Sequence, residues 1–231
     1  MHRPGVHDSL IHRSFVRCSF VERCFVLALC TGLFVPLVLA SKTFVRPVAK
    51  AAATYPAHDA HRDENTAIAA DPYDTPEKAK IFSTNFAAHG FLPIFFIVTN
   101  DGDQPVSIAN MSITLLTANN SKLTPVSPDD LYRRLSNPQV STRPAPIPLP
   151  HKAKSGISKK EMDEIEASQF EARAVEPHTT QSGFLFFDIG GIDSPTAGAT
   201  IDITGVADAK GTELLYFEIP LDKYLTAPKT N

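Results

Sequence analysis

An uncharged apolar run, CFVLALCTGLFVPLVLA over residues 24–40, splits the chain into a short arginine-bearing start and a long remainder. A basic segment, an apolar stretch and a small-residue end are the three parts of a secretory signal. Val38 and Ala40 stand where a signal peptidase needs small side chains, so cleavage would leave Ser41 as the new N-terminus. Retained, the same run would be a hydrophobic helical anchor, although it is shorter than the ~20 apolar residues that span a bilayer and Pro36 interrupts it. Either fate keeps Arg3, Arg13, Arg17 and Arg23 inside and sends the C-terminal bulk across the membrane. The domain is then periplasmic or secreted if the leader is cut, and inner-membrane anchored if it is not. Lipidation at Cys30 fits poorly, because bulky Leu29 precedes it.

Cys18, Cys24 and Cys30 all lie in or before this run. A domain starting at Ser41 therefore has no thiol, which excludes disulfides, thiolate metal sites and cysteine nucleophiles from it. Without the first 40 residues, 18 basic and 23 acidic side chains remain, a balance of −5. That is the wrong sign for a phosphate-neutralising surface, so nucleic acid is not an expected partner. Hydrophobic residues make up 43% of the chain, enough for a globular core.

Residues 41–75 are rich in Ala, His, Asp and Pro without strand or helix periodicity, and are expected to be a flexible tether. DTPEKAK (74–80) offers a short helical start with Pro76 in its first turn. Phe-rich and β-branched stretches follow at KIFSTNFA (80–87) and GFLPIFFIVTN (90–100), and the second is apolar on both faces, like a central strand. NDGDQP (100–105) reads as a turn, with Gly102 free to take positive φ. Further strands are expected in 106–118, after a turn within NNSKLTPV (119–126), and in FEARAVEP, TQSGFLFFDIGG, ATIDITGVAD and TELLYFEIPL.

Between them, SPDDLYRRL starts a helix, with Ser127 as cap, Pro128 in the first turn, and Leu131 and Leu135 one turn apart. SKKEMDEIEASQF offers a second short helix, and the alternating Pro144, Pro146, Pro148 and Pro150 force extended backbone. The expected architecture is mostly β: a single antiparallel immunoglobulin-like β-sandwich over 76–226, with a short helix and Pro-rich insertion at 127–168 and a tail at 227–231.

ATYPAHDAHRDENTAIAADPYDTPEKAKIF, GFLPIFFIVTNDGDQPVSI, VEPHTTQSGFLFFDI and ELLYFEIPLDKYL together resemble exported immunoglobulin-like β-sandwich proteins of acidobacterial type. The resemblance covers most of the chain beyond residue 40. It implies a fold and a compartment, and neither an activity nor functional residues.

His58, His61 and Asp63, beside Asp59 and Glu64, supply imidazole and carboxylate groups of the kind that ligate zinc. A closed site needs a rigid scaffold, so in a tether these residues are solvated linker. Asn100, Asp101 and Asp103 are oxygen ligands, but the bidentate acid that ends a calcium loop is missing. No cofactor is expected. His89, His178 and Asp188 could form a hydrolytic site if the fold brought them together, yet no nucleophile elbow, H-E-x-x-H or phosphate loop accompanies them. RPAPIPLP resembles a polyproline ligand, and serves equally as a rigid spacer.

Three classes of function follow. The leading one is a non-enzymatic, exported or membrane-tethered binding module of the cell envelope with a protein or glycan partner. The second is a hydrolase or metal-dependent enzyme assembled from distant residues, and the third a structural or stress-protective envelope domain.

Overall fold

Ten consecutive residues, 91–100, are buried along one strand, which requires a sheet covered on both faces. The structure, a computed structural model, describes residues 44–136, 156–214 and 216–226. Its strands are β1 (His58–His61), β2 (Thr66–Pro72), β3 (Phe91–Asn100), β4 (Val106–Ser107), β5 (Ser112–Leu116), β6 (Lys122–Leu123), β7 (Ala174–Val175), β8 (Thr179–Asp188), β9 (Thr200–Thr204) and β10 (Phe217–Pro220). Its helices are α1 (Pro76–Ala79), α2 (Pro128–Ser136), α3 (Lys159–Ser168) and α4 (Asp222–Thr226). The chain is mostly β, as the sequence leads one to expect, and every strand pairing is antiparallel.

The strands form one sheet of order β1-β2-β3-β8, a second of order β10-β9-β5-β6, and a small pair β4-β7. Period-two alternation divides the first sheet between two cores. Ile68, Leu92, Ile94, Phe96, Val98 and Phe187 pack against Ile113, Leu115, Ile201, Ile203, Phe217 and Ile219 of the second sheet. Ala67, Ala69, Phe91, Phe95, Ile97, Phe184 and Phe186 point the other way, into a layer that contains Leu131 and Leu135 of α2, Ile165 of α3 and the aromatic side chains of Phe44, Phe82 and Phe86. The outer face of the second sheet is polar, with Ser112 and Thr204 exposed.

The helical layer is fixed by polar anchors as well as packing. Ser158 and Glu161 make a reciprocal capping box at the start of α3. Glu164, 3% exposed, accepts hydrogen bonds from the Ser83 amide (2.8 Å) and hydroxyl (2.6 Å) and from the Thr84 amide (3.2 Å). Arg46 donates to the carbonyls of Ala167 and Gln169 at the end of α3, where a cation also favours the helix dipole, and to Ser182 of β8.

Of the four edge strands of the two larger sheets, β8 and β10 are blunted. Along β8, Val126 and Phe170 donate backbone hydrogen bonds to Phe186 and Phe184. On β10, the Glu218 amide donates to the Asp59 carboxylate, and Pro220 has no N–H to offer.

The expected tether is overturned. β1 and β2 lie inside 41–75 and pair along their length, β2 with the central strand. Phe44 stacks on Phe82 with ring centroids 5.5 Å apart, and the Ala52 amide donates to Thr99 Oγ1 at 2.8 Å. The Ala-rich β2 conceals its strand character because it lacks the bulky alternation that marks a buried strand. The expected strand at 80–87 is not one either: these residues are turns ending in a 3-10 helix at Ala87–His89, and Phe82 and Phe86 serve the helical layer. Stretch 106–118 breaks into β4 and β5, which belong to different sheets. Among the described residues no helix is long and apolar enough to cross a membrane. The run 24–40, the proline run 144–150 and the tail 227–231 lie outside the described residues.

Gly183 sits where residues 169–170 cross β8, and a Cβ there would lie 2.5 Å from Phe170 Cα. Backbone on backbone cannot yield cheaply, so Gly183→Ala is expected to cost on the order of 3 kcal/mol. For a domain of this size that lowers Tm by roughly 6–12 °C, which differential scanning calorimetry measures.

Candidate functional site

Loops carry function when a rigid scaffold positions them, and one end of this fold holds its loops with backbone hydrogen bonds. Ser107 and Ala207 exchange bonds of 2.8 and 2.9 Å, and Ala207 also bridges Glu213. Ser107 in turn belongs to β4, paired with β7, and Ile108 donates to Arg173 O. The loops after β3, before β8 and after β9 are thereby stitched into one miniature sheet. The β1–β2 turn joins them through the Asp101 amide, which donates to Asn65 O at 2.8 Å.

Asn100 is the plug of this end. Fully buried, it donates from Nδ2 to Gln104 O (2.8 Å) and Val175 O (3.0 Å), while its Oδ1 accepts from the Gly102 amide (2.9 Å). The side chain thus closes its own turn and ties it to β7. Asp208 organises the next loop similarly, accepting from the Lys210 and Thr212 amides. Between these loops lies a shallow recess of about 160 Å³, with Glu64, Asp103 and Asp208 on its wall. His178, in the left-handed region at φ 55°, reaches Asp103 at 3.0 Å on the exposed rim.

The structure does not gather the residues that the sequence offers as chemical groups. His58 and His61, three apart on one strand, face opposite ways. His58 Nδ1 bonds the Tyr55 carbonyl. His61 lies between Glu64 Oε2 (2.9 Å) and Asp59 Oδ2 (3.3 Å) and stacks on Phe217 at 4.0 Å, so it fastens β1 to β10. Asp63 belongs to the following 3-10 turn, Arg62–Glu64. Among the described residues no group of three or more His, Cys, Asp or Glu side chains is arranged to hold a metal ion.

The enzymatic arrangement fails on register. Phe91 pairs with Asp188 and Asn100 with Thr179, so His89 and Asp188 sit at one end of the β3–β8 ladder and His178 at the other. Nine residues of strand separate them, about 30 Å. Asp188 is instead bonded to Arg134 at 2.7 Å, whose guanidinium lies 4.7 Å from the Phe91 ring centroid. Asp101 and Asp103 belong to the Asn100 turn, as the turn reading has it.

A further polar cluster, not singled out in the sequence, surrounds Lys78. Its ammonium bonds Asp71 and the Pro72 carbonyl and lies 4.3 Å from the Tyr224 ring centroid. Tyr224 donates to Asp74 at 2.8 Å. Burial, helped by the Asp71 charge, holds the Tyr73 phenol above its ordinary range, and burial with the Asp74 hydrogen bond does the same for Tyr224. Burial also pushes the Asp71 carboxyl up, against the pull of Lys78. Phenols held protonated cannot serve as bases; the cluster latches α4 to the end of β2. The turn around Asn100 is local, through Gly102 and Gln104, but its tie to Val175 is brought by tertiary structure, and so is the Tyr224 ring beside Lys78.

Asn100→Ala strips two carbonyls and an amide of their partner in a dry setting, and is expected to cost about 2–3 kcal/mol, read as a lower urea midpoint. A second expectation concerns acid. The Arg134 guanidinium, with the Gly190 amide, holds the Asp188 carboxyl below its ordinary range. A depressed folded pKa gives stability that is present above the unfolded value near 4 and disappears as pH falls. Tm should therefore drop more steeply from pH 5 to 3 in the parent than in Arg134→Met, as thermal melts across that range will register.

No family model, curated protein or solved structure matches the chain.

Proposed function

We propose that the chain is a non-enzymatic binding module of the cell envelope, carried across a membrane by residues 24–40 and engaging a protein or glycan partner through its stitched loop end. The observation that carries this reading is the backbone weld linking Ser107, Ala207 and Glu213 to β7. A loop surface already fixed loses little conformational freedom on binding, which raises affinity for a given contact area. The finer fold reading is an immunoglobulin-like β-sandwich. Sheet order supports it: β2, β3 and β8 take the places of strands A, B and E, and β5, β9 and β10 those of C, F and G. On that assignment the welded loops include those that variable domains use for recognition.

Ala209, exposed at the recess, allows a test that leaves the fold alone. The purified domain is to be sedimented with isolated envelope membranes and, separately, with cell-wall polysaccharide. Saturable co-sedimentation with one of them, weakened at least tenfold by Ala209→Arg and unchanged by Asn119→Arg in the exposed β5–β6 turn at the opposite end of the second sheet, is the expected result. Saturable binding indifferent to Ala209→Arg would place the contact elsewhere, and absence of saturable binding to either would remove the binding reading.

A further inference from the structure

Two asparagines stand in the order Asn-x-Ser with no proline between, in Asn110-Met111-Ser112 and Asn119-Asn120-Ser121. On the surface of an exported protein that triplet is an acceptor for N-linked oligosaccharide. Both asparagines are exposed, yet the fold treats the two triplets differently. The first is locked in place. Ser112 opens β5 and pairs with Thr204 of β9, and Asn110 lies against the turn that follows β9, where a Cβ added to Gly205 would collide with the Asn110 carbonyl oxygen. Backbone packed so closely cannot swing out into the active site of another protein.

The second triplet forms the tip of the β5–β6 turn. Thr117 closes that turn behind it: its amide donates to Ser121 O (3.0 Å), its carbonyl accepts from the Asn120 amide (2.8 Å), and its hydroxyl accepts from the Ser121 amide (3.1 Å). On the triplet's side these bonds use backbone alone. The Asn119 side-chain amide and the Ser121 hydroxyl, the two groups that an acceptor triplet presents, bond to none of the described residues. Asn85 and Asn100 differ, because their Oδ1 atoms accept from the Ala88 and Gly102 amides and so serve their own turns. Beyond the tip β6 is only Lys122–Leu123, so the turn opens locally at small cost.

We propose that Asn119 is an N-glycosylation site of the folded domain and that Asn110 is not. The inference rests on the export part of the function proposed above. In the transfer, Asn119 Nδ2 forms a bond to the anomeric carbon of an oligosaccharide carried on a lipid pyrophosphate. The bond from that carbon to the pyrophosphate oxygen breaks, the lipid pyrophosphate leaves with the electron pair, and the amide proton passes to a base of the transferase. The β5–β6 turn lies at the end of the second sheet opposite Ser112 and Thr204. A glycan there shields the far end and leaves the recess between the stitched loops open.

The test incubates the folded full chain, in mild detergent, with a purified oligosaccharyltransferase that recognises Asn-x-Ser/Thr and with its lipid-pyrophosphate oligosaccharide donor. Intact mass is read before and after peptide N-glycosidase. One glycan per chain, removed by the glycosidase, is expected. Its yield should fall at least tenfold in Asn119→Gln and in Ser121→Ala and stay unchanged in Asn110→Gln, with thermal melts of all three variants matching the parent. No glycan on the parent, or one that Asn119→Gln leaves in place, would overturn the proposal. Transfer to Asn110 as readily as to Asn119 would overturn the selectivity that the fold imposes. The same chain is then made in cells whose export compartment holds that enzyme, and the glycan is expected on the cellular product. Its absence there, with transfer to the purified chain intact, would overturn the export reading and the use of the site with it.

Discussion

The burial of β3 on both faces is the constraint that the other elements answer. A strand with the sequence FLPIFFIVTN presents large side chains on either side of its sheet, and neither set can be left to water. The second sheet takes Leu92, Ile94, Phe96 and Val98; α2, α3 and the segments at 44–52 and 81–86 take Phe91, Phe95 and Ile97. The strand even contains Pro93, tolerated because β2 pairing ends at Ile94, so that no ladder hydrogen bond is asked of the missing N–H. What reads in the sequence as an insertion and a tether is, in physical terms, the cover of an aromatic sheet face.

That cover explains which parts of the fold were legible and which were not. GFLPIFFIVTN and GFLFFDI announce themselves, because bulky alternation in a buried strand survives any context. The Ser127 and Ser158 caps likewise mark α2 and α3, since capping is local chemistry. Residues 44–72 carry no such mark. β1 holds His61, whose partners Glu64, Asp59 and Phe217 are partly supplied by a strand 156 positions away, and β2 is built of alanines whose fitness lies in being small. Phe82 and Phe86 mislead in the opposite direction: their aromatic character reads as strand, whereas they point from turns into the layer that α2 and α3 share. Of the candidate sites, the Asn100 turn was visible as a turn, and its buried amide role required β7 to be in place.

The polar side chains of the described residues act mainly as fasteners. His61, Glu164, Lys78, Arg46 and Asn100 each tie together segments that the backbone ladders do not join, and each does so through carbonyls, amides or rings. With no disulfide available after residue 40, such fasteners and the two cores hold the domain. The same economy gives the loop end its character, since the weld through Ser107 and Ala207 that completes the fold also makes the loops a fixed surface.

Amide hydrogen exchange over the whole chain tests the central claim that the 44–61 segment and the loop end are integral, rigid parts of the domain. The amides of Ala52, Asp101, Ser107 and Ala207, each donating within the structure, should exchange far more slowly than free peptide and share the protection of the β-strand cores. Exchange of residues 44–61 and of these loop amides at free-peptide rates, with β3 and β9 still protected, would contradict it.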